Sequence, residues 1–211
     1  MSPEGIRVSY AQAVHGIEEE EAVLDVLRKN QTIIGPRTKK FEEEIAILFG
    51  KNHGVMVNSG SSANLLAFEI LDLPKGSEVI TPALTFSTTV APLLQKGLKP
   101  IFVDVEPGTY NIDVSKIREK ITNKTKVLMI PSLIGNFSNL EELKNIAWDY
   151  NLIFIEDSCD TLGARYKGVP TGSYSHISTT SFYGSHIITA AGGGGMICVN
   201  NPYWMDRCKI L

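Results

Sequence analysis

One histidine in this chain stands where acid–base chemistry could be done. His186 lies in T-S-F-Y-G-S-H-I-I-T-A-A-G-G-G-G-M, residues 180–196, after a β-branched and aromatic approach and a polar break. A neutral imidazole can act as a general base near pH 7. No lysine occurs between Lys167 and Lys209, so this stretch offers no amine for a Schiff base. Four consecutive glycines, Gly192 to Gly195, follow. Such a run costs backbone entropy and marks a place where the backbone approaches something closely or turns tightly. By itself it reads equally as the tip of a hairpin. His15, His53 and His176 have no comparable context.

Two further stretches carry polar groups at positions suited to a ligand. I-F-I-E-D-S-C-D, residues 153–160, is an apolar strand ending in two acids, Glu156 and Asp157. It would place them at the carboxyl edge where open α/β sheets bind ligands. The plain alternative is a solvated acid at a strand end, which suits Glu156. N-S-G-S-S-A-N, residues 58–64, lies where a strand feeds a helix, with Ser61 and Ser62 in the first helical turn. Free N–H groups and the positive dipole end suit a phosphate there, although an isolated match could be a serine-rich cap.

The elements that must position these residues follow a regular rhythm. Acidic residues followed by spaced apolar ones (Ile17, Ala22, Val23, Leu27) predict an amphipathic helix over 17–29. A turn at Gly35-Pro36 leads to a helix over 39–48. Strands are expected at 54–57, 78–81, 100–103, 127–130 and 152–155. Helices at 61–71, 87–95, 113–120 and 140–150 alternate with them. This alternation indicates an α/β fold, a mostly parallel sheet with helices on both faces. Strands over 177–182 and 196–199 flank the histidine loop, and a last helix begins at 204.

Composition bounds the rest. The 211 residues are 43% hydrophobic and 20% charged, as in an ordinary globular protein. A net charge of −3 without a basic block gives no reason to expect a nucleic acid or an anionic membrane as partner. The start, M-S-P-E-G-I-R-V-S-Y, lacks the apolar core of a signal peptide, and no run is long enough to span a bilayer. Cys159, Cys198 and Cys208 are too few and scattered for a disulfide framework, which favours the cytoplasm.

Taken together and in order, these stretches resemble the DegT-type sugar aminotransferases, fold-type I pyridoxal-phosphate enzymes acting on nucleotide-linked keto sugars. That family reads roughly S-F-x-x-x-K-x-I-T-x-G-E-G-G where this chain has residues 181–194, with His186 at the lysine position. A histidine there marks the sugar 3-dehydratase branch, which works with pyridoxamine phosphate. The resemblance implies His186 as the catalytic base and a phosphate cradle at Gly60, Ser61 and Ser62, with Ser181 on its far side. Phe86, in T-P-A-L-T-F, would stack on the ring and Asp157 would pair with the pyridinium nitrogen. Asp160 departs from the family glutamine of E-D-x-x-Q in the way the dehydratase branch does, and is placed with the cofactor-binding residues. Cys159 matches one ligand of an iron–sulfur subgroup, whose [2Fe-2S] companions would fall beyond Leu211. G-P-x-x-x-x-F-E matches at Phe41 and Glu42. Residues 1–52 then form an N-terminal helical segment, and 53–211 a cofactor-binding large domain incomplete at its C-terminus, with the small C-terminal domain missing. A nucleotide-linked keto sugar substrate, a homodimer and, in one sub-branch, a flavin/iron–sulfur reductase are the implied partners.

Overall fold

The computed structural model describes Ser9 and residues 14–211; apart from Ser9, the N-terminal decapeptide read above lies outside the described residues. The chain runs α1 (Ile17–Arg28), α2 (Pro36–Leu48), β1 (His53–Val57), α3 (Gly60–Leu71), β2 (Glu78–Pro82), α4 (Ser87–Gln95), β3 (Lys99–Val103), β4 (Thr125–Pro131), α5 (Leu140–Asp149) and β5 (Ile153–Asp157). A two-residue-strand hairpin, β6 (Arg165–Tyr166) and β7 (Val169–Pro170), precedes β8 (Ile177–Ser181), β9 (Gly195–Val199) and α6 (Pro202–Ile210).

Seven strands form one sheet in the order β1-β9-β8-β5-β4-β2-β3. Only β9 is antiparallel to its neighbours, pairing Val57 with Gly195 on one side and Ser181 with Gly195 on the other. The remaining strands therefore end at one common edge. The apolar runs of the central strands β2, β4 and β5 reflect burial on both faces. Along β2, Val79 packs with α3 and α4, while Ile80 packs with α5, as the two-residue period requires. α6 joins the first layer through Cys208, and α2 covers the opposite face near β9 with Ile45, Ala46 and Phe49.

Local chemistry sets the helix starts. Ser59 Oγ accepts from Ser62 N at 3.1 Å to cap α3, Asn139 caps α5, and Asn201 with Pro202 opens α6. At α2, Gly35 is the cap and Pro36 the first helical residue, so the expected turn is the helix start itself.

Two expectations are corrected, those for 113–120 and Glu156, while α1 forms as expected but stays exposed. Residues 113–120 form two 3₁₀ turns, Val114–Lys116 and Arg118–Lys120, because Asp113 binds back to Ser115 and the buried Val114 and Ile117 sit three apart. The stripe of α1 is not buried: Ile17, Val23 and Leu27 are 62%, 53% and 55% exposed. That helix touches α2 through Asp25, whose carboxyl is held below the usual range by Lys29 and Arg37. Glu156 is no solvated acid. It is buried on the face opposite Asp157 and accepts from Ser158, Ser175 and Ser178. Among the described residues no helix is long and apolar enough to cross a membrane.

Candidate active site

At the carboxyl edge the ends of β1, β2, β4, β5 and β8 enclose a cavity of about 480 Å³. This is where the polarity of a parallel sheet gathers loop residues and helix N-termini. Gly60, Ser61, Phe86, Asp157, Cys159, Asp160, Ser181 and His186 all line it. Ser62 does not: its amide and hydroxyl are both engaged with Ser59 in the cap of α3.

The histidine loop is pinned at both ends. Phe182 N donates to Gly194 O at 2.8 Å and Ala190 N to Phe182 O at 3.0 Å, which closes the excursion over 183–189. Inside it, Tyr183 N donates to Ser181 Oγ at 3.2 Å and His186 N to Tyr183 O at 2.9 Å. The His186 imidazole is 20% exposed, with Nδ1 3.3 Å from Asp160 Oδ1.

The glycine run has two uses. A Cβ on Gly195 would lie 2.3 Å from the Ser59 carbonyl carbon and oxygen and 2.5 Å from Gly60 N. The run thus lets β9 press directly against the entrance to α3. At Gly192 the φ of +138° is a value that residues with a Cβ rarely adopt. On the other side, a Cβ on Gly60 would meet Ser181 Cβ at 2.6 Å and Cys159 Sγ at 2.9 Å. The first turn of α3 is therefore clasped between β8, β9 and the loop after β5. Its Gly60 and Ser61 N–H groups precede any intrahelical acceptor, and both residues line the cavity.

Asp157 ends β5 and is 6% exposed. Its Oδ2 accepts from Asn64 Nδ2 at 2.9 Å and Thr89 Oγ1 at 3.0 Å, and its Oδ1 from Cys159 N at 3.3 Å. Asn64 is itself held by Thr179 Oγ1 at 2.6 Å. Among the described residues no cation pairs with this carboxylate, and no lysine or arginine lines the cavity. A buried carboxylate given only neutral donors calls for a positive group on its open side. Sequence reasoning missed Asn64 and Thr89; the one available signal was an amide among the apolar residues of α3. It also missed Thr85, whose buried hydroxyl lines the cavity without a partner.

The donor set fits a flat, phosphate-bearing ring with a cationic nitrogen. The first-turn residues Gly60 and Ser61, the Ser181 hydroxyl, the Asp157 carboxylate and the 68% exposed Phe86 share the cavity wall. Among the described residues Cys159 is the one cysteine on that wall. Burial and the neighbouring Asp157 charge push the Cys159 thiol well above the ordinary range, and Cys198 and Cys208 are buried in other core layers. Among the described residues no three His, Cys, Asp or Glu side chains are grouped to hold a metal.

A mostly parallel seven-stranded sheet with its cavity at the carboxyl edge is the large-domain architecture of fold-type I pyridoxal-phosphate enzymes. The solved structure of the E. coli GDP-4-keto-6-deoxy-D-mannose-3-dehydratase with bound hydrated PLP superposes with a TM-score of 0.89 at 34% identity, over 95% of this chain and 53% of that one. The chain belongs to the DegT/DnrJ/EryC1/StrS aminotransferase family, whose model matches residues 14–211. Similar curated proteins include the dTDP-4-dehydro-2,6-dideoxy-D-glucose 3-dehydratase of Saccharopolyspora spinosa, 40% identical over 86% of this chain and 41% of that protein. The lipopolysaccharide biosynthesis protein RfbH of Salmonella typhimurium is 42% identical over 87% of this chain and 44% of that protein. The chain spans about half the length of the curated relatives it matches.

Proposed function

We propose that the protein carrying this chain is a pyridoxamine-phosphate-dependent 3-dehydratase of a nucleotide-linked 4-keto-6-deoxyhexose, making deoxysugars for surface polysaccharide. The observation that supports it best is the cavity's combination of His186 and a buried Asp157 with no lysine on its wall. Relatives named as 3-dehydratases support the same reading. When bound, pyridoxamine phosphate supplies an amine that condenses with the keto group and a ring that accepts an electron pair. The Gly60 and Ser61 amides and the Ser181 hydroxyl would hold its phosphate, Phe86 would flank the ring, and Asp157 would keep the ring nitrogen protonated. His186 takes up a proton in the cavity at an imidazole nitrogen, and departure of the C3 hydroxyl follows.

The second half of the reaction would run either through a flavin/iron–sulfur reductase or through hydrolysis and transamination by the same protein. Residues 53–211 would form the cofactor-binding domain of a cytoplasmic homodimer. The family's aminotransferase name favours a second reading, a lysine-bearing aminotransferase. Buried Lys51 does not supply that lysine, since its Nζ donates to Ser175 O at 2.6 Å and lies off the cavity.

The test is His186→Lys in the intact protein, assayed for 3-deoxygenation. The expected result is loss of deoxygenation by about 10²-fold or more, the scale of a removed general base. Undiminished deoxygenation would remove His186 from the mechanism.

A further inference from the structure

Asp160 makes two contacts that no cofactor contact explains. One carboxylate oxygen, Oδ1, stands 3.3 Å from His186 Nδ1. The other, Oδ2, accepts from Ile134 N at 3.1 Å. Ile134 is held at φ 57°, ψ 30°, a left-handed conformation rare for a β-branched residue, and it follows Leu133 on the cavity wall. With Oδ2 bonded to Ile134 N, Oδ1 is the oxygen left facing the imidazole. Among the described residues Asp160 also bears the one carboxylate within 4 Å of a His186 nitrogen. The other titratable groups on the cavity wall are Asp157, Cys159 and Tyr183. Asp157 is turned to Asn64 and Thr89, and the Tyr183 ring stands edge-on, 6.2 Å from the imidazole centroid.

We propose that Asp160 is a positioning residue for His186: its carboxylate keeps the imidazole proton on Nδ1, leaving the Nε2 lone pair free to take a proton in the cavity. The proposal rests on the reading of His186 as the base. A carboxylate can only accept, so a neutral imidazole that bonds to it does so as the Nδ1–H tautomer. The Ile134 contact makes the consequence of an amide specific. In Asp160→Asn the amide oxygen stays with the Ile134 N–H, and the amide nitrogen is turned to His186. That nitrogen donates, so Nδ1 must accept and the proton moves to Nε2, where it blocks the base. The same carboxylate-to-amide exchange in the serine-protease triad lowers kcat by about 10⁴-fold through the wrong tautomer.

The test uses the intact protein labelled with ¹⁵N-histidine, read by two-bond ¹H–¹⁵N correlation at alkaline pH, where imidazoles are neutral. His186→Asn identifies the His186 signals by their loss. The expected result is an Nδ1–H tautomer in the wild type and Nε2–H in Asp160→Asn. With the nucleotide-linked 4-keto-6-deoxyhexose that the wild type consumes, kcat of Asp160→Asn should fall about 10²- to 10⁴-fold while KM stays within a few-fold. An Nε2–H wild type, or a variant in which either change fails to occur, overturns the positioning role. If His186→Asn still deoxygenates, the reading of His186 as base fails. An inactive His186→Asn beside an unaltered Asp160→Asn defeats the positioning role alone.

Discussion

Replacing Gly195 by alanine tests the idea that the glycine run exists to bring two backbones together. The added Cβ would lie 2.3 Å from the Ser59 carbonyl carbon and oxygen and 2.5 Å from Gly60 N. All three are main-chain atoms, so no rotamer change relieves them. Overpacking of a filled interior costs about 1–3 kcal/mol, and contacts this close belong at about the upper limit. Removing a glycine from the unfolded chain returns about 0.4–1 kcal/mol. The net loss is therefore about 2 kcal/mol, which moves a urea midpoint by about 1 M for a typical small-protein slope. Gly184 is the control, because a Cβ there meets nothing within 4 Å and its φ is ordinary. Gly184→Ala should shift stability by no more than about 0.5 kcal/mol. Urea unfolding followed by tryptophan fluorescence compares the two. Pyridoxal phosphate titration should also show at least about tenfold weaker binding in Gly195→Ala, since the Gly60 amide is the group displaced. Equal midpoints for the two variants would refute the close-approach argument.

Two other perturbations follow from buried ionisable groups. Burial brings Lys51 from 10.5 down to about 8, with Glu156 opposing the shift. The unfolded chain keeps that proton up to the higher value, so the Lys51 contribution to stability should rise by about 3 kcal/mol between pH 8 and 10.5. The difference in unfolding free energy between wild type and Lys51→Met should follow that rise, and a flat difference would contradict it. Cys159 lines the cavity with its thiol pushed up by burial and by Asp157. Iodoacetamide at pH 8 should label it at least about tenfold more slowly than the same cysteine in urea, thiolate being the reactive form; matched rates would argue against the buried, anion-flanked environment.

Much of this architecture was legible because short apolar runs such as V-L-M-I at 127–130 alternate with longer helical patterns, the rhythm of a doubly covered parallel sheet. Strand direction was not legible. Nothing in Met196–Val199 distinguishes a parallel from an antiparallel strand; the structure turns β8 back directly into β9, with Phe182 N bonded to Gly194 O. The β6–β7 hairpin escaped because each strand has two residues, although Lys167 and Gly168, both at positive φ, form the turn such a hairpin needs. At the site, motif residues were visible but their supports were not. Asn64 and Thr89 reach Asp157 across 93 and 68 residues of chain, and only the folded sheet brings them together. Ser62 shows the converse: its position in the motif suggested a ligand contact, yet the helix uses it to satisfy its own cap. The burial of Glu156 could not be read from a strand end either, because its partners Ser175 and Ser178 come from the next strand and the turn before it.

We propose a site that holds its cofactor without a covalent lysine. Its most direct test is to saturate the intact protein with pyridoxal phosphate, reduce with borohydride, and map pyridoxyl-peptides by mass. The expected result is cofactor released on denaturation, with no stoichiometric pyridoxyl-lysine. A lysine labelled in proportion to bound cofactor would contradict the claim and return the protein to the aminotransferases.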